Sequence, residues 1–329
     1  MICGWKARFA SLAAALFLGN LLVQSVLSGE RKSLGHSSAA DPADAEPESP
    51  VRRLPRRVAR GFLPLPVAVY VQAANAKLWD EMFQCLRAVL RGQAELGGTI
   101  DLIVSATDSK TVARYQRNIS KLPGVRRWRV LFVENRGGDI GQFLQQIVAE
   151  PPGSYSAVLK IHTKSKDSWR RNMLKNLCGS GAVVKSALWG FKEHPGMKLL
   201  GPRDFVHVGR HATFTPGFCQ AMECRENEVG KARLFMRKDE ESMSSTWQLL
   251  RPDSEEPLDQ LWAIVPGSCW WARGDIFQEL LEAAPRLLAS MALGASRRGG
   301  SGQAQHALER WIPTLALLNS TFLGELDAA

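Results

Sequence analysis

The sequence lacks most of the short signatures that mark a bound cofactor. No G-x-G-x-x-G follows a strand-like segment, which removes a dinucleotide-binding Rossmann domain. No G-x-x-x-x-G-K-[ST] occurs, so a P-loop is excluded, and the G-x-S-x-G of α/β-hydrolases is absent. The 6 cysteines do not fall into the CxxC pairs of a structural zinc site. Zinc-finger spacing, an RNP signature and a basic helical stripe are missing too, which argues against nucleic acid as a partner.

What the chain does contain is basic charge and enough apolar material for a full core. Of its 329 residues 45% are hydrophobic, and the formal net charge is +10. A surface of that sign suits acidic ligands such as nucleotides, sugar diphosphates or anionic glycans. Cys219 and Cys224 are close enough to close a small disulfide loop, which an oxidising compartment favours; two buried thiols are the other reading.

Lys6 and Arg8 precede an apolar run from Phe9 to about Ser28. A helix of that length spans about 30 Å, one hydrocarbon core. It reads as an uncleaved membrane anchor with a cytosolic N-terminus, or as a signal peptide cleaved before Gly29. Either places the remainder on the secretory route, in a Golgi-type lumen or outside the cell. Residues 30–62 are rich in Ala, Pro, Glu, Ser and Arg, and are expected to form a disordered stem. Sequons at Asn118 and Asn319 permit N-glycosylation in such a compartment. The expected organisation is therefore 1–29 anchor or signal peptide, 30–62 stem, and 63–329 one α/β domain.

Strand and helix periodicities alternate through that domain. Strands are expected at 67–72, 99–106, 129–133, 156–162 and 197–200, with helices between them at 78–90, 109–122, 139–148, 169–177 and 182–192. Ser109 is expected to cap the second of these helices. Repeats of this kind mean βαβ units and a parallel sheet, whose ligands bind outside the carboxyl ends of the strands. From about Phe205 to Pro257 the pattern weakens into an irregular insertion, a possible acceptor site. Strand character returns over 264–271 and helical character over 275–288; a glycine-rich loop, 294–302, precedes a last helix over 304–318.

Polar residues gather at the expected strand ends. Glu134-Asn-Arg-Gly-Gly-Asp-Ile-Gly141 forms a tight turn into a helix, with Asp139 as its N-cap or as a ligand to a base or ribose. Lys160 and His162 alternate on one side of a strand end, Lys164 follows, and Arg170 and Arg171 open the next helix. Clustered cations call for an anion, and a diphosphate would serve; solvated strand ends are the plainer reading. A transferase that inverts also needs a base for the acceptor hydroxyl. Glu309, with His306 one turn before it, is the first choice, and Asp259 the second. Trp270 or Trp271 would stack on a sugar ring or lie in the core; Trp271 is taken as the acceptor contact.

The motifs ENRGGDIGQFL, VLKIHTK, WRRNMLKNLCGS, GSCWWAR and HALERW, in that order between about Val67 and Leu318, resemble the rhamnan synthesis F family of polysaccharide glycosyltransferase-like proteins. The family pattern usually carries a charged residue where Gly138 stands, and residues 205–257 match nothing recognisable in it. The resemblance implies an α/β fold with a GT-A-like, mostly parallel sheet and helices on both faces. It implies transfer of a sugar, rhamnose by the family name alone, from a nucleotide-sugar donor to a glycan or polysaccharide acceptor. GT-A enzymes often hold a divalent metal through Asp-x-Asp at a strand end. Here Lys160-Ile161-His162 takes that place, and an ammonium cannot bind Mg²⁺. The expectation is therefore a metal-free, cofactor-free site. Asn135, Asp139, Lys160, His162, Lys164 and Arg170 would hold the donor in it, and Glu309 and His306 would be catalytic. The alternative is an inactive, glycan-binding scaffold of the same fold.

Overall fold

The computed structural model describes residues 49–54, 64–209, 212–213, 215–224, 227, 229–230, 237–254, 262–292, 304–320 and 322–326. The apolar run 9–28, most of the stem, Asp259 and the loop 294–302 lie outside the described residues. Among the described residues no helix is long and apolar enough to cross a membrane.

Four strands and the helices between them follow the expected order. Strands β2 (Val67–Gln72), β3 (Ile100–Ala106), β4 (Val125–Phe132) and β5 (Ala157–His162) are joined by α1 (Trp79–Ala94), α2 (Ser109–Ile119) and α3 (Gly138–Ala149). β2, β3 and β5 are buried at every position, as near-continuous apolar strands covered on both faces should be. β4 is mostly exposed along VRRWRVLF, and its arginines guard the sheet edge. After β5 come α4 (Asp167–Cys178), α5 (Gly181–Glu193) and β6 (Leu199–Pro202).

The remaining elements complete a sheet of eight strands in the order β1-β10-β6-β9-β5-β2-β3-β4. β1 is Val51–Arg53, β9 is Trp270–Ala272 and β10 is Leu323–Leu326. All neighbours are parallel except β9, which runs against both β5 and β6. Val51–Arg53 falls within the expected stem, and so corrects its boundary: the segment pairs with β10 in parallel register.

Other expectations are corrected in detail. Asp108, not Ser109, caps α2, its carboxylate accepting from the Thr111 N–H at 2.8 Å. The Asp108 carboxylate, one residue earlier, satisfies an orphan donor of the first turn. Residues 205–257 are not wholly irregular. They hold β7 (His207–Val208), α6 (Pro216–Met222) and α7 (Arg237–Leu250), and Met243, Trp247 and Leu250 of α7 are buried. The apolar stretch 264–271 is two strands. β8 (Ala263–Ile264) pairs with β7 in a separate ribbon, and β9 lies beyond a turn where Gly267 and Ser268 have φ of 91° and 52°. Helices α8 (Gln278–Ser290) and α9 (Ala304–Leu318) follow.

The side chains sort the helices onto two faces. On one, Trp79 of α1 stacks on Tyr115 of α2 with centroids 4.0 Å apart. A disulfide joins Cys85 of α1 to Cys178 at the end of α4. No bridge joins Cys219 to Cys224, so the short loop allowed by their spacing does not close. On the other face, α3 sets Phe143 edge-on to Tyr70, Trp270 and Phe277.

Candidate functional site

The chain runs from β2 outward to β3 and β4, then returns across α3 to β5 on the other side of β2. The direction of winding reverses between β2 and β5, and in open α/β sheets the ligand crevice lies at such a switch point, outside the carboxyl ends. Here a polar row crosses the sheet. Ser105 is in register with Gln72, and Gln72 with His162, all on the α3 side. Gln142 accepts from the Ser105 hydroxyl at 3.2 Å, and the Gln72 amide donates to Gln146 at 2.6 Å. Gln146 in turn donates to the carbonyls of Val71 and Ile103. α3 is thus pinned over the row by its own buried amides.

The start of α3 delivers Asp139. Gly137 is the N-cap, and Gly137 and Gly138 both have φ of 61°, a region that favours glycine. A Cβ on Gly137 would also collide with Met291. Asp139 is therefore not the cap; it sits in the first turn, where the helix dipole favours a carboxylate. Its Oδ2 accepts from Lys160 Nζ at 2.8 Å, and its Oδ1 is 3.8 Å from His162 Nδ1. Lys160 is fully buried, and its ammonium also donates to the Ser268 carbonyl at 2.7 Å. His162 Nε2 is 2.6 Å from the Gly267 carbonyl, which assigns the ring proton to Nε2. Glu309 completes the ring from α9: its Oε1 accepts from the Gly267 N–H at 2.7 Å, and Oε2 is 3.7 Å from His306 Nδ1.

The charges fit this geometry. Burial pushes the Asp139 carboxyl up, but His162, Lys160 and Lys164 outweigh it and hold it well below its ordinary value. Burial brings His162 down to about 4, with Lys160 and Lys164 adding to the fall and Asp139 opposing it. The ring is thus neutral at pH 7 and presents an Nδ1 lone pair toward Asp139. Burial raises Glu309, yet its bond with His306 and the charges of Lys164 and Arg310 bring it down to about 2. Asp139 keeps 28% of its side-chain surface, while Lys160 and His162 beside it are buried.

Asp139, Lys160, His162, Glu309 and His306 are therefore brought together, through the Gly267-Ser268 turn that opens the GSCWWAR motif. Lys164 stands beside them, half-buried, its ammonium 4.0 Å over the Trp169 ring. Asn135 lies half-buried in the loop before α3, tied to no other member of the cluster. Three assignments change. Arg170 is buried, and its fork is taken by Glu81 at 2.7 and 2.9 Å, by Asp167, and by the Lys164 carbonyl. With those donors occupied it shapes the loop instead of holding a phosphate. Trp271 is fully buried on the opposite face of the sheet, donating to the Leu177 carbonyl at 3.0 Å, so it cannot stack on an acceptor. Glu309, with its carboxyl at about 2 and one oxygen committed to a backbone N–H, is a poor base and a good clamp.

Among the described residues no group of three or more His, Cys, Asp or Glu side chains is placed to hold a metal ion. No family model matches the chain, and no curated protein is similar enough in sequence to stand as a relative. The resemblance to rhamnan synthesis F proteins thus rests on the quoted motifs alone.

Proposed function

We propose that this chain is a glycosyltransferase that moves a sugar from a nucleoside-diphosphate donor to a glycan acceptor. The observation that carries the reading is the Asp139–Lys160–His162 cluster, with Lys164 beside it, at the carboxyl end of β5 next to the switch point. In transfer, the bond from the sugar's anomeric carbon to the diphosphate breaks and a bond to the acceptor oxygen forms. Negative charge grows on the leaving diphosphate, and cations held in a dry site are worth several kcal/mol there. Lys164, half-buried and on the loop after β5, is the cation placed to meet it. The acceptor's proton must go to a base; Asp139 and Glu309 are both held well below ordinary carboxylate values and each already accepts a hydrogen bond, so neither is assigned that role. The Cys85–Cys178 bridge supports a lumenal or extracellular setting.

One observation favours the alternative, an inactive glycan-binding scaffold: Lys160 is already neutralised by Asp139 and the Ser268 carbonyl, and so needs no diphosphate. Incubating the protein with a set of nucleotide sugars and acceptor glycans, with and without EDTA, separates the two. Acceptor-dependent release of nucleoside diphosphate that survives EDTA supports the transferase. Glycan binding with no release at any donor leaves the scaffold.

A further inference from the structure

Away from this crevice, a groove of about 750 Å³ runs between α1 and the segment from the end of α2 to the start of β4. Its floor is apolar, with Phe83 and Leu90 from α1 and Leu122 from the facing segment. Its rim is basic. Arg87 and Arg91 stand one helical turn apart on α1, and Lys121 faces them; all three are exposed. None of the three enters an ion pair among the described residues. The Arg87 guanidinium lies 4.9 Å over the Phe83 ring. Asp80 is the acidic group among the lining side chains, at the end nearest the start of α1. Trp79 lines that same end, is 1% exposed, and its indole N–H has no acceptor. Beyond Arg87 and Arg91 a second hollow of about 330 Å³, lined by Gln84 and Ser180, continues the same path.

We infer that this groove binds a linear anionic glycan, one carrying carboxylate or sulfate groups, at a site separate from the sugar-transfer crevice. The arginines and Lys121 would take the anions, and Phe83 and Leu122 the C–H faces of the rings. The lining residues belong to α1, the end of α2 and the connection that follows, and none of them lies in a strand. An extended acidic peptide would therefore find no backbone ladder, which favours the glycan. The inference draws on the proposed function only in choosing a glycan. The groove stands whether or not the crevice is catalytic.

Titration calorimetry on the full-length protein tests it. The probes are an oligogalacturonate hexamer, a heparin hexasaccharide, a neutral cellohexaose and hexaglutamate, at low and moderate salt. Asn118, the sequon residue, also lines the groove, so each titration is repeated after enzymatic removal of any glycan there. One or both acidic hexamers should bind and weaken with salt, and cellohexaose and hexaglutamate should bind at least about tenfold more weakly. Arg87→Glu/Arg91→Glu should lower affinity for the acidic hexamer at least about tenfold. Lys110→Glu/Arg286→Glu, an equal charge change elsewhere, should leave it within about twofold. Equal losses in both double variants would show general attraction to a basic protein and overturn the site. Hexaglutamate binding as well as the glycans would overturn the choice of ligand. Because binding is read directly, loss of transferase activity would not affect this result.

Discussion

Replacing Lys160 with Met removes the ammonium and keeps most of the side chain's length. The apolar replacement would sit near the rings of Phe143 and Trp270, whose centroids are 5.7 and 5.9 Å from the ammonium nitrogen. Two bonds are lost, at 2.8 Å to Asp139 and 2.7 Å to the Ser268 carbonyl. Breaking one partner out of a buried pair costs about 3–5 kcal/mol. Asp139 keeps 28% of its side-chain surface, so water returns part of that, and a loss of about 2–3 kcal/mol is expected. In a domain of this size the Tm should fall by roughly 5–10 °C. Adding Asp139→Asn removes the stranded carboxylate, and the double variant should recover about half of the loss. The pH dependence follows from the depressed Asp139 carboxyl. Its folded value lies below its unfolded value, so its contribution is present above about pH 4 and is lost as pH falls through the folded value. The gap between wild type and Lys160→Met should therefore close below about pH 4. Urea denaturation at pH 7 and at acid pH reads both effects. A single variant within about 0.5 kcal/mol of wild type at pH 7 would refute the buried-pair argument.

Four further outcomes follow from the structure. His162, at about 4 when folded against an ordinary 6.5, takes its proton first in the unfolded chain. Stability should fall between about pH 6.5 and 4 by roughly 3 kcal/mol from this group, and His162→Gln should flatten part of that slope in urea midpoints. His207, also at about 4 through burial, will keep the rest of it. Glu325 is raised to about 7, first by burial and then by Asp204, so its stability contribution is full below about pH 4.5 and is lost as pH rises through 7. Glu325→Gln should accordingly raise the Tm at pH 8 and change little at pH 5. Cys85→Ser/Cys178→Ser opens a loop of separation 93 and should cost roughly 4–5 kcal/mol, while Cys219→Ser, which breaks no bridge, should cost less. Glu309→Gln keeps an oxygen for the Gly267 N–H, so the fold should hold and turnover should fall less than about tenfold. A loss of two orders of magnitude would return the base role to Glu309.

Periodicity exposed the half of the sheet that is built from repeats. VAVYVQ, TIDLIVSA and SAVLKIH are long, apolar and separated by helical spacing, and they lie within one residue of where they were expected. The other half was hidden for physical reasons. β10 is only Leu-Gly-Glu-Leu, and β1 is Val-Arg-Arg, so neither carries an apolar pattern; their strand character comes from pairing with each other and with β6. α7 opens on RKDEES, and its apolar side appears only from Met243 onward. The cluster was legible in part, because Asp139 opens a helix after two glycines and Lys160 and His162 alternate at a strand end. Asp139 itself supplies the anion that Lys160 meets. The Gly267-Ser268 turn, which joins Lys160, His162 and Glu309, acts through backbone atoms and left no side-chain signature. The Cys85–Cys178 bridge spans 93 residues, and no spacing rule points to it.

The account turns on whether the carboxyl ends of β2 and β5 receive a nucleotide sugar. The most direct test is titration of the full-length protein with a panel of nucleoside-diphosphate sugars in EDTA, on wild type and Lys164→Ala. The account expects one donor to bind without metal, and Lys164→Ala to weaken it at least about tenfold. No binding by any donor, or equal binding to wild type and Lys164→Ala, would contradict it.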